Sequence, residues 1–175
     1  MATQVRDTDP ASLNTPNDLG DNGRQAIAES VNKLVADAFV LYAKTKNFHW
    51  HMTGPNFRDY HLMLDEHADA IFATTDPLAE RVRKLGKKTV HSMSEMLSIS
   101  HLKENNAPFV PPLDMLKELM SDNKQMAAAM RETHEVCDEH DDVATASLLE
   151  NYIDETERRT WFLFEIIQGA DQSGH

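Results

Sequence analysis

"NFHWHMTGPNFRDYHLMLDEHADAIFATTDPLAERV", residues Asn47 to Val82, is the most informative stretch of this chain. It holds the end of one helical pattern and nearly all of the next. It also places five polar side chains so that all can point toward an apolar interior: His49, His61, Asp65, Asp76 and Glu80. A buried carboxylate without a partner costs several kcal/mol or loses its charge. The group therefore indicates protons, cations or a metal ion.

On both sides of the His- and Asp-bearing positions, apolar residues recur with the period of an α-helix. Helix one is predicted from Gly23 to the break at residues 53–55, where "TGP" stops the pattern. Helix two is predicted over about 56–85. Pro77 interrupts it, so we expect a bend near Thr75.

The remainder of the chain is also predicted to be helical. Residues 87–112 form a long connection with one short helical pattern, and two more helices are predicted over about 113–140 and 143–167. The length of the connection predicts that helices two and three are parallel neighbours. The fold class is therefore all-α: a ferritin-like four-helix bundle whose long crossover, between helices two and three, carries a short helix.

The domain organisation is predicted to be simple. A flexible N-terminal tail over residues 1–22, rich in Asp, Asn, Thr and Pro, precedes the bundle. The bundle itself is expected over residues 23–170. Residues 171–175 form a short C-terminal tail.

Composition narrows the class of protein. The chain has 175 residues and a formal net charge of −12, with 17 Lys and Arg against 29 Asp and Glu. The length suits one domain, and the acidic balance disfavours nucleic acid as a partner. Cys137 is the only cysteine, and no apolar run resembles a signal sequence or approaches the length of a membrane span. We expect a cytoplasmic bacterial or archaeal protein without membrane attachment.

The polar positions share one helix face but cannot surround one metal. At about 100 degrees per residue, one face of helix two carries four of them: His61, Asp65, Asp76 and Glu80. Imidazole with carboxylate suits iron, zinc or manganese. A rise of about 1.5 Å per residue puts Asp65 and Asp76 about 16 Å apart, too far for one site. Two copies packed antiparallel about a two-fold axis near Ala70 would instead form two shared sites.

The motif "NFHWHMTGPNFRDYHLMLDEHAD", followed by "TTDPLAERVRKLG", resembles the Dps family of mini-ferritins, DNA-binding proteins from starved cells. In that family five such residues form a ferroxidase centre between subunits, and the match falls without insertion on His49, His61, Asp65, Asp76 and Glu80. The resemblance implies a dodecameric shell built from two-fold dimers. It also implies oxidation of Fe(II) by H2O2 or O2 at two irons per centre and storage of the ferric product. Zn2+ or Mn2+ is expected to substitute for iron.

Other residues have two readings each. Trp50 is either a radical sink beside the centre or an aromatic side chain that fills a helix interface. Asp138 and Asp142 lie near the join of the last two helices, where the family has acidic pores through which iron enters. In the same segment, Cys137 and His140 are interpreted as part of an exposed helix end in preference to a zinc site. His51 and His67 lie off the ligand stripe and are expected to be solvated or to lie behind the ligands.

Three functions compete. A ferroxidase and iron store is favoured. A lone His or a single His–Asp pair on a helix usually has a structural role, whereas five such residues in register indicate a metal site. A DNA-compacting protein of the same family would use Lys- and Arg-rich tails. Residues 1–23 hold one Arg against four Asp, and residues 169–175 hold neither Lys nor Arg, so tail-mediated DNA binding is not expected. The third reading is a helical scaffold whose ion pairs never bind metal.

Overall fold

The computed structural model describes residues 11–171, with side chains described as far as Gln168. Residues 1–10 and 172–175, which hold parts of both predicted tails, lie outside the described residues. Within the described range, a 3-10 turn at Ala11–Leu13 precedes six helices: α1 (Asp21–His51), α2 (Phe57–Ala73), α3 (Thr75–Lys84), α4 (Met93–Ile99), α5 (Pro112–Glu139) and α6 (Val143–Asp171). This part of the chain contains no strand. The predicted all-α bundle with a short crossover helix is confirmed.

The core lies between α1 and the helices around it. α1 packs against α2, α3 and α5, and α5 packs along α6. The inner stripes bury large apolar side chains completely: Leu34, Leu41, Leu64, Leu116, Leu149 and Leu163. Burial of each contributes about 1.5–3 kcal/mol. Across the described residues α2 and α5 share no extensive contact. They lie diagonally in the bundle instead of as the expected neighbours, because α1 contacts both of them.

The predicted bend in helix two is a complete break at Thr74, where α2 ends and α3 begins. Pro77 has no backbone N–H, and its ring excludes the carbonyl group four residues earlier from a continuous helix. The hydroxyl group of Thr74 donates to the carbonyl oxygen of Ile71 at 2.8 Å and closes the end of α2. The last two residues of the motif are therefore carried by a separate short helix, α3.

The crossover is fixed to α1 by one buried carboxylate. Asp37 is fully buried and accepts hydrogen bonds from the Ser100 hydroxyl group (2.7 Å), the His101 backbone N–H (2.6 Å) and His101 Nδ1 (2.9 Å). Ser92 begins α4 by accepting a hydrogen bond from the backbone N–H of Glu95 at 3.2 Å. These contacts order a segment that has little regular structure of its own.

Residues 11–20, in the segment predicted as a tail, contact the end of α3. Arg83 Nη2 donates to the carbonyl oxygen of Leu13 at 3.0 Å. Gly86 has a φ of +77°, and a Cβ atom there would lie 2.9 Å from the carbonyl oxygen of Thr15. Glycine permits both the backbone conformation and this close approach. The part of the chain before α1 is thus packed against the bundle from residue 11.

Candidate metal centre

His49 at the end of α1 and His61 in α2 lie face to face. Their ring centroids are 3.7 Å apart with an interplanar angle of 19°. His49 Nδ1 lies 2.7 Å from the carbonyl oxygen of His61, and His61 Nδ1 lies 2.9 Å from the carbonyl oxygen of His49. A carbonyl oxygen can only accept, so both Nδ1 atoms carry hydrogen, and in the neutral rings both Nε2 atoms keep a lone pair. Metal-binding histidines are commonly oriented in this way, through the nitrogen that does not bind the metal.

Asp65 is the third motif residue at this place. Its Oδ1 atom lies 3.8 Å from His49 Nε2, and the carboxylate forms an ion pair with Lys46 of α1. The hydrogen bond from Lys46 holds the pKa of Asp65 below its ordinary value, and the same contact raises the pKa of Lys46. Asp65 is therefore ionised at neutral pH. A cation that binds here has to displace the ammonium group of Lys46. We call His49, His61 and Asp65 the imidazole half-site.

The other two motif residues are exposed on α3. Asp76 lies in the first turn, where the helix dipole favours a carboxylate. Glu80 pairs with Lys84 one turn later, at 3.3 Å, with both side chains more than half exposed. We call Asp76 and Glu80 the α3 half-site. Within residues 11–171, no three His, Cys, Asp or Glu side chains are grouped so that they could hold a metal ion. One chain presents two separate half-sites.

The bundle interior has its own charged cluster, in which one lysine ammonium group pairs with two carboxylates. Lys44 Nζ lies 2.8 Å from Asp122 Oδ2 and 2.9 Å from Glu118 Oε1. Burial raises the pKa of Asp122, although the hydrogen bond from Lys44 acts in the opposite direction. A lysine ammonium group thus stands where a metal between these two carboxylates would have to bind. A lysine also occupies the motif, but the motif brings two imidazole rings together beside a carboxylate, which the interior cluster does not.

Large apolar side chains are exposed around the motif. Trp50, beside His49, is 67% exposed, and Leu62 and Phe72 of α2 are 42% and 48% exposed. The ring of Phe57 lies 4.9 Å from the ring of His61. Apolar side chains clustered at a surface usually mark a contact with another molecule. In the single chain, Trp50 does not fill an interface between helices.

The two acids expected at the iron pore occupy different environments. Asp138 is exposed at the end of α5 and lies 3.2 Å from His134 Nδ1. Asp142 is buried and accepts hydrogen bonds from Arg81 Nη2 (2.9 and 3.1 Å) and from the backbone N–H of Thr145 (3.1 Å). Burial alone raises a carboxyl pKa, but the bonds from Thr145 and Arg81 prevail and lower the pKa of Asp142. In this chain Asp142 joins α3 to the start of α6.

Lys46 and Arg81, the charged partners of Asp65 and Asp142, were not identified from the sequence. Lys46 lies one turn before His49, so helical spacing could have indicated it. Arg81 pairs with a residue 61 positions later, which no local pattern reveals. His67, expected to be solvated or to lie behind the ligands, is only 8% exposed. Burial, with the charges of two nearby arginines, lowers the pKa of His67 to about 4.

Comparison with known proteins supports the helical bundle. Residues 28–172 match the Ferritin-like domain family. A low temperature-induced protein of Nostoc sp. is 34% identical over 152 residues, which are 86% of this chain and 85% of the relative. DNA protection during starvation protein 2 of Bacillus anthracis is 33% identical over 138 residues, 78% of this chain and 93% of the relative.

A solved structure extends the similarity to three dimensions. The Dps protein from Vibrio cholerae O1, a member of a broad superfamily of ferritin-like diiron-carboxylate proteins, has a TM-score of 0.82 at 26% identity. The superposition covers 88% of this chain and 97% of the Vibrio chain. Sequence and structure comparisons therefore agree over most of the chain.

Proposed function

The chain belongs to the Dps family of ferritin-like proteins, and we propose that it is a ferroxidase and iron store that protects against oxidative damage. The observation that carries this proposal is the pair of Nδ1 hydrogen bonds in His49 and His61, which leaves the Nε2 atom of each ring available to a metal, with Nε2 of His49 3.8 Å from Asp65 Oδ1. The backbone carbonyl groups thus orient both rings through the nitrogen that would not bind the metal.

Each centre would lie between two subunits. The imidazole half-site of one subunit meets the α3 half-site of the other when two copies pack antiparallel about an axis near Ala70. Such an isologous contact forms two identical centres. It would also cover exposed apolar side chains beside the motif, such as Leu62 and Phe72. Six such dimers would make the dodecameric shell.

Fe(II) is the substrate of this centre. Its carboxylate ligands are hard donors that stabilise Fe(III) over Fe(II) and so favour loss of an electron. Two irons each give one electron to a molecule of hydrogen peroxide, which takes up two protons and leaves as two water molecules. Transferring both electrons at one centre avoids release of a hydroxyl radical. O2 is the alternative oxidant, and Zn2+ or Mn2+ would bind the same donors.

Residues outside the ligand set would support iron uptake or protect the centre. Asp138, together with the exposed acids Glu139 and Asp141, would raise the local concentration of Fe(II) where iron enters the shell. Asp142 would contribute there only indirectly, by holding α6 in place, because its carboxylate forms an ion pair with Arg81. Trp50 lies next to a ligand and would take up a stray oxidising equivalent, as a radical sink.

DNA compaction is the second candidate function. The Bacillus anthracis relative is named for DNA protection. Removal of Fe(II) and peroxide would protect DNA without contact, whereas direct binding depends largely on Lys and Arg at phosphates. The sequence has few such residues near its ends.

No helix within residues 11–171 is long and apolar enough to cross a bilayer. We propose the cytoplasm as the location, without DNA binding through the tails.

Two double variants test the shared centre. His61→Ala with Asp65→Ala empties the imidazole half-site, and Asp76→Ala with Glu80→Ala empties the α3 half-site. Each protein alone should oxidise Fe(II) slowly, as followed by Fe(III) absorbance after addition of peroxide. Dissociated and reassembled together, they should recover about a quarter of the wild-type rate, because half of randomly formed dimers are mixed and each mixed dimer has one complete centre.

The matched control is Asp59→Ala with Asp154→Ala, which removes two exposed carboxylates that are not among the five proposed ligands. This protein should keep the wild-type rate. Mass spectrometry establishes that mixed dimers have formed. If they have formed and the mixture is still as slow as either variant alone, the two half-sites do not make a common centre.

A further inference from the structure

A pocket with a cavity volume of about 340 Å³ lies between α2 and α6, and its lining includes Ala70, near which the proposed two-fold axis passes, but none of the five proposed iron ligands. His67 of α2 contributes to one wall. Arg158, Arg159 and Phe162 of α6 contribute to the other. The two adjacent arginines make this pocket unusual in a chain with a net charge of −12.

Arg159 is the central feature of the pocket, because it is 5% exposed and has an unsatisfied donor. Its Nε atom donates to Asn123 Oδ1 at 2.9 Å, and its Nη2 atom donates to the Thr156 hydroxyl group at 2.7 Å. Its Nη1 atom is buried and has no acceptor among the described residues. No ion pair joins this guanidinium group to a carboxylate of residues 11–168. A buried cation without a counter-ion is costly, and a buried N–H without an acceptor adds to the cost.

Arg158 supplies a second positive charge at the same pocket. Its guanidinium carbon lies 5.0 Å from the centroid of the Phe162 ring, so the ring holds the side chain along the pocket wall. Burial lowers the pKa of Arg159 to about 10, which leaves it protonated at neutral pH. Arg159 is therefore charged under physiological conditions.

The acids at the pocket offset these charges only in part, since the charge of Glu155 raises the pKa of Arg159 but burial lowers it by more. Glu66 and Glu155 also line it, but both are exposed to solvent and neither forms an ion pair with the arginines in the described structure. Charges in solvent are screened much more strongly than the buried guanidinium group of Arg159. The unmet requirement of the pocket is thus a negatively charged acceptor.

We propose that this pocket binds a small tetrahedral oxyanion, inorganic phosphate, between Arg158 and Arg159. Phosphate carries the missing charge, and its several oxygen atoms can accept from both guanidinium groups at once. An oxygen atom that reaches Nη1 of Arg159, after a small rotation of the guanidinium group, satisfies the orphan donor. The overall charge of the chain repels anions, so binding has to come from these local donors. This site does not depend on iron oxidation.

Equilibrium dialysis of the assembled, iron-free protein against radiolabelled phosphate tests the proposal, at neutral pH and roughly physiological ionic strength. Wild-type protein should show one saturable site per chain, and phosphate should raise its Tm. Arg158→Gln should weaken binding about tenfold to a hundredfold, the range for loss of a charged hydrogen bond. Arg159→Met should abolish binding.

Arg131→Gln is the matched control, because it removes the same charge from an exposed arginine outside the pocket. Its affinity for phosphate should stay within about twofold of wild type, as expected for a screened surface charge. Since Arg159→Met replaces a buried side chain and could disrupt folding, Arg158→Gln and the wild-type Tm shift test the site independently. Absence of saturable binding to wild-type protein overturns the proposal, and so does an equal loss in Arg131→Gln and Arg158→Gln. Either result leaves the ferroxidase proposal untouched.

Discussion

The ion pair between Arg81 and Asp142 joins α3 to the start of α6, and its loss should destabilise the fold. The Asp142 side chain is 2% exposed and the Arg81 side chain 15% exposed, with N–O distances of 2.9 and 3.1 Å. Removal of one partner from a buried pair costs about 3–5 kcal/mol, because the remaining charge is left without compensation. Water can reach the partly exposed Arg81 position, so we expect about 3 kcal/mol for Arg81→Met, at the lower end of that range.

Urea unfolding followed by circular dichroism measures this loss at neutral pH. Arg81→Met combined with Asp142→Asn should lose less stability than the two single changes added together, because the double variant contains no orphaned charge. The folded-state pKa of Asp142 is lowered, so its contribution is present above the unfolded value, about 3.9, and disappears as the pH falls through the folded value. The penalty of Arg81→Met should shrink in that acidic range.

The exposed pair Arg131–Glu157 provides the comparison, with side chains 51% and 54% exposed. Arg131→Met should cost no more than about 1 kcal/mol, as is usual for surface pairs. Equal losses for the two arginine variants would refute the assignment of a buried structural ion pair. Strict additivity in the double variant would refute it as well.

Three further predictions concern pH, iron uptake and DNA. The pKa of His67 is about 4 in the folded chain against 6.5 for the free side chain, so the unfolded chain takes up the proton first and the free energy of unfolding should fall by about 3 kcal/mol as the pH falls from 6.5 to 4. His67→Gln should flatten the fall in unfolding free energy over that interval, and an unchanged profile would contradict this. Asp138→Asn should slow Fe(II) oxidation at low Fe(II) but not at saturating Fe(II). The control Asp114→Asn, at the other end of α5, should keep the wild-type rate at both concentrations. If Asp138→Asn and wild type have equal initial rates at low Fe(II), Asp138 is not on the uptake path. Duplex DNA should not be retarded in gels at about 150 mM salt without divalent cations, because twelve copies at −12 each give a shell of −144; saturable retardation would show direct binding.

Local pattern was sufficient to predict the helices. Apolar spacing located the long helices, and Pro77 indicated the break between α2 and α3 to within one residue. The proximity of His49, His61 and Asp65 also follows from helical spacing on two consecutive helices. These features depend on neighbours in sequence, where backbone chemistry and periodicity act directly.

Features that depend on distant contacts could not be predicted in this way. The exchange of imidazole hydrogen bonds with backbone carbonyl groups needs the exact offset of α1 and α2. Asp142 resembles an exposed acid in sequence, and only the position of Arg81 across the bundle turns it into a buried anchor. Arg159 likewise lies in a charged run, "ETERRT", and its burial becomes visible only when α6 packs against α2 and α5.

The shared iron centre is tested most directly by anomalous scattering from crystals soaked with Fe(II) in the absence of air. We predict iron peaks at each two-fold interface, about 2.0–2.5 Å from ligand atoms of the imidazole half-site of one subunit and the α3 half-site of its partner. Iron found only within a single subunit, for example between Asp122 and Glu118 in place of Lys44, would contradict the account. Iron absent from the interface at full soaking would contradict it equally.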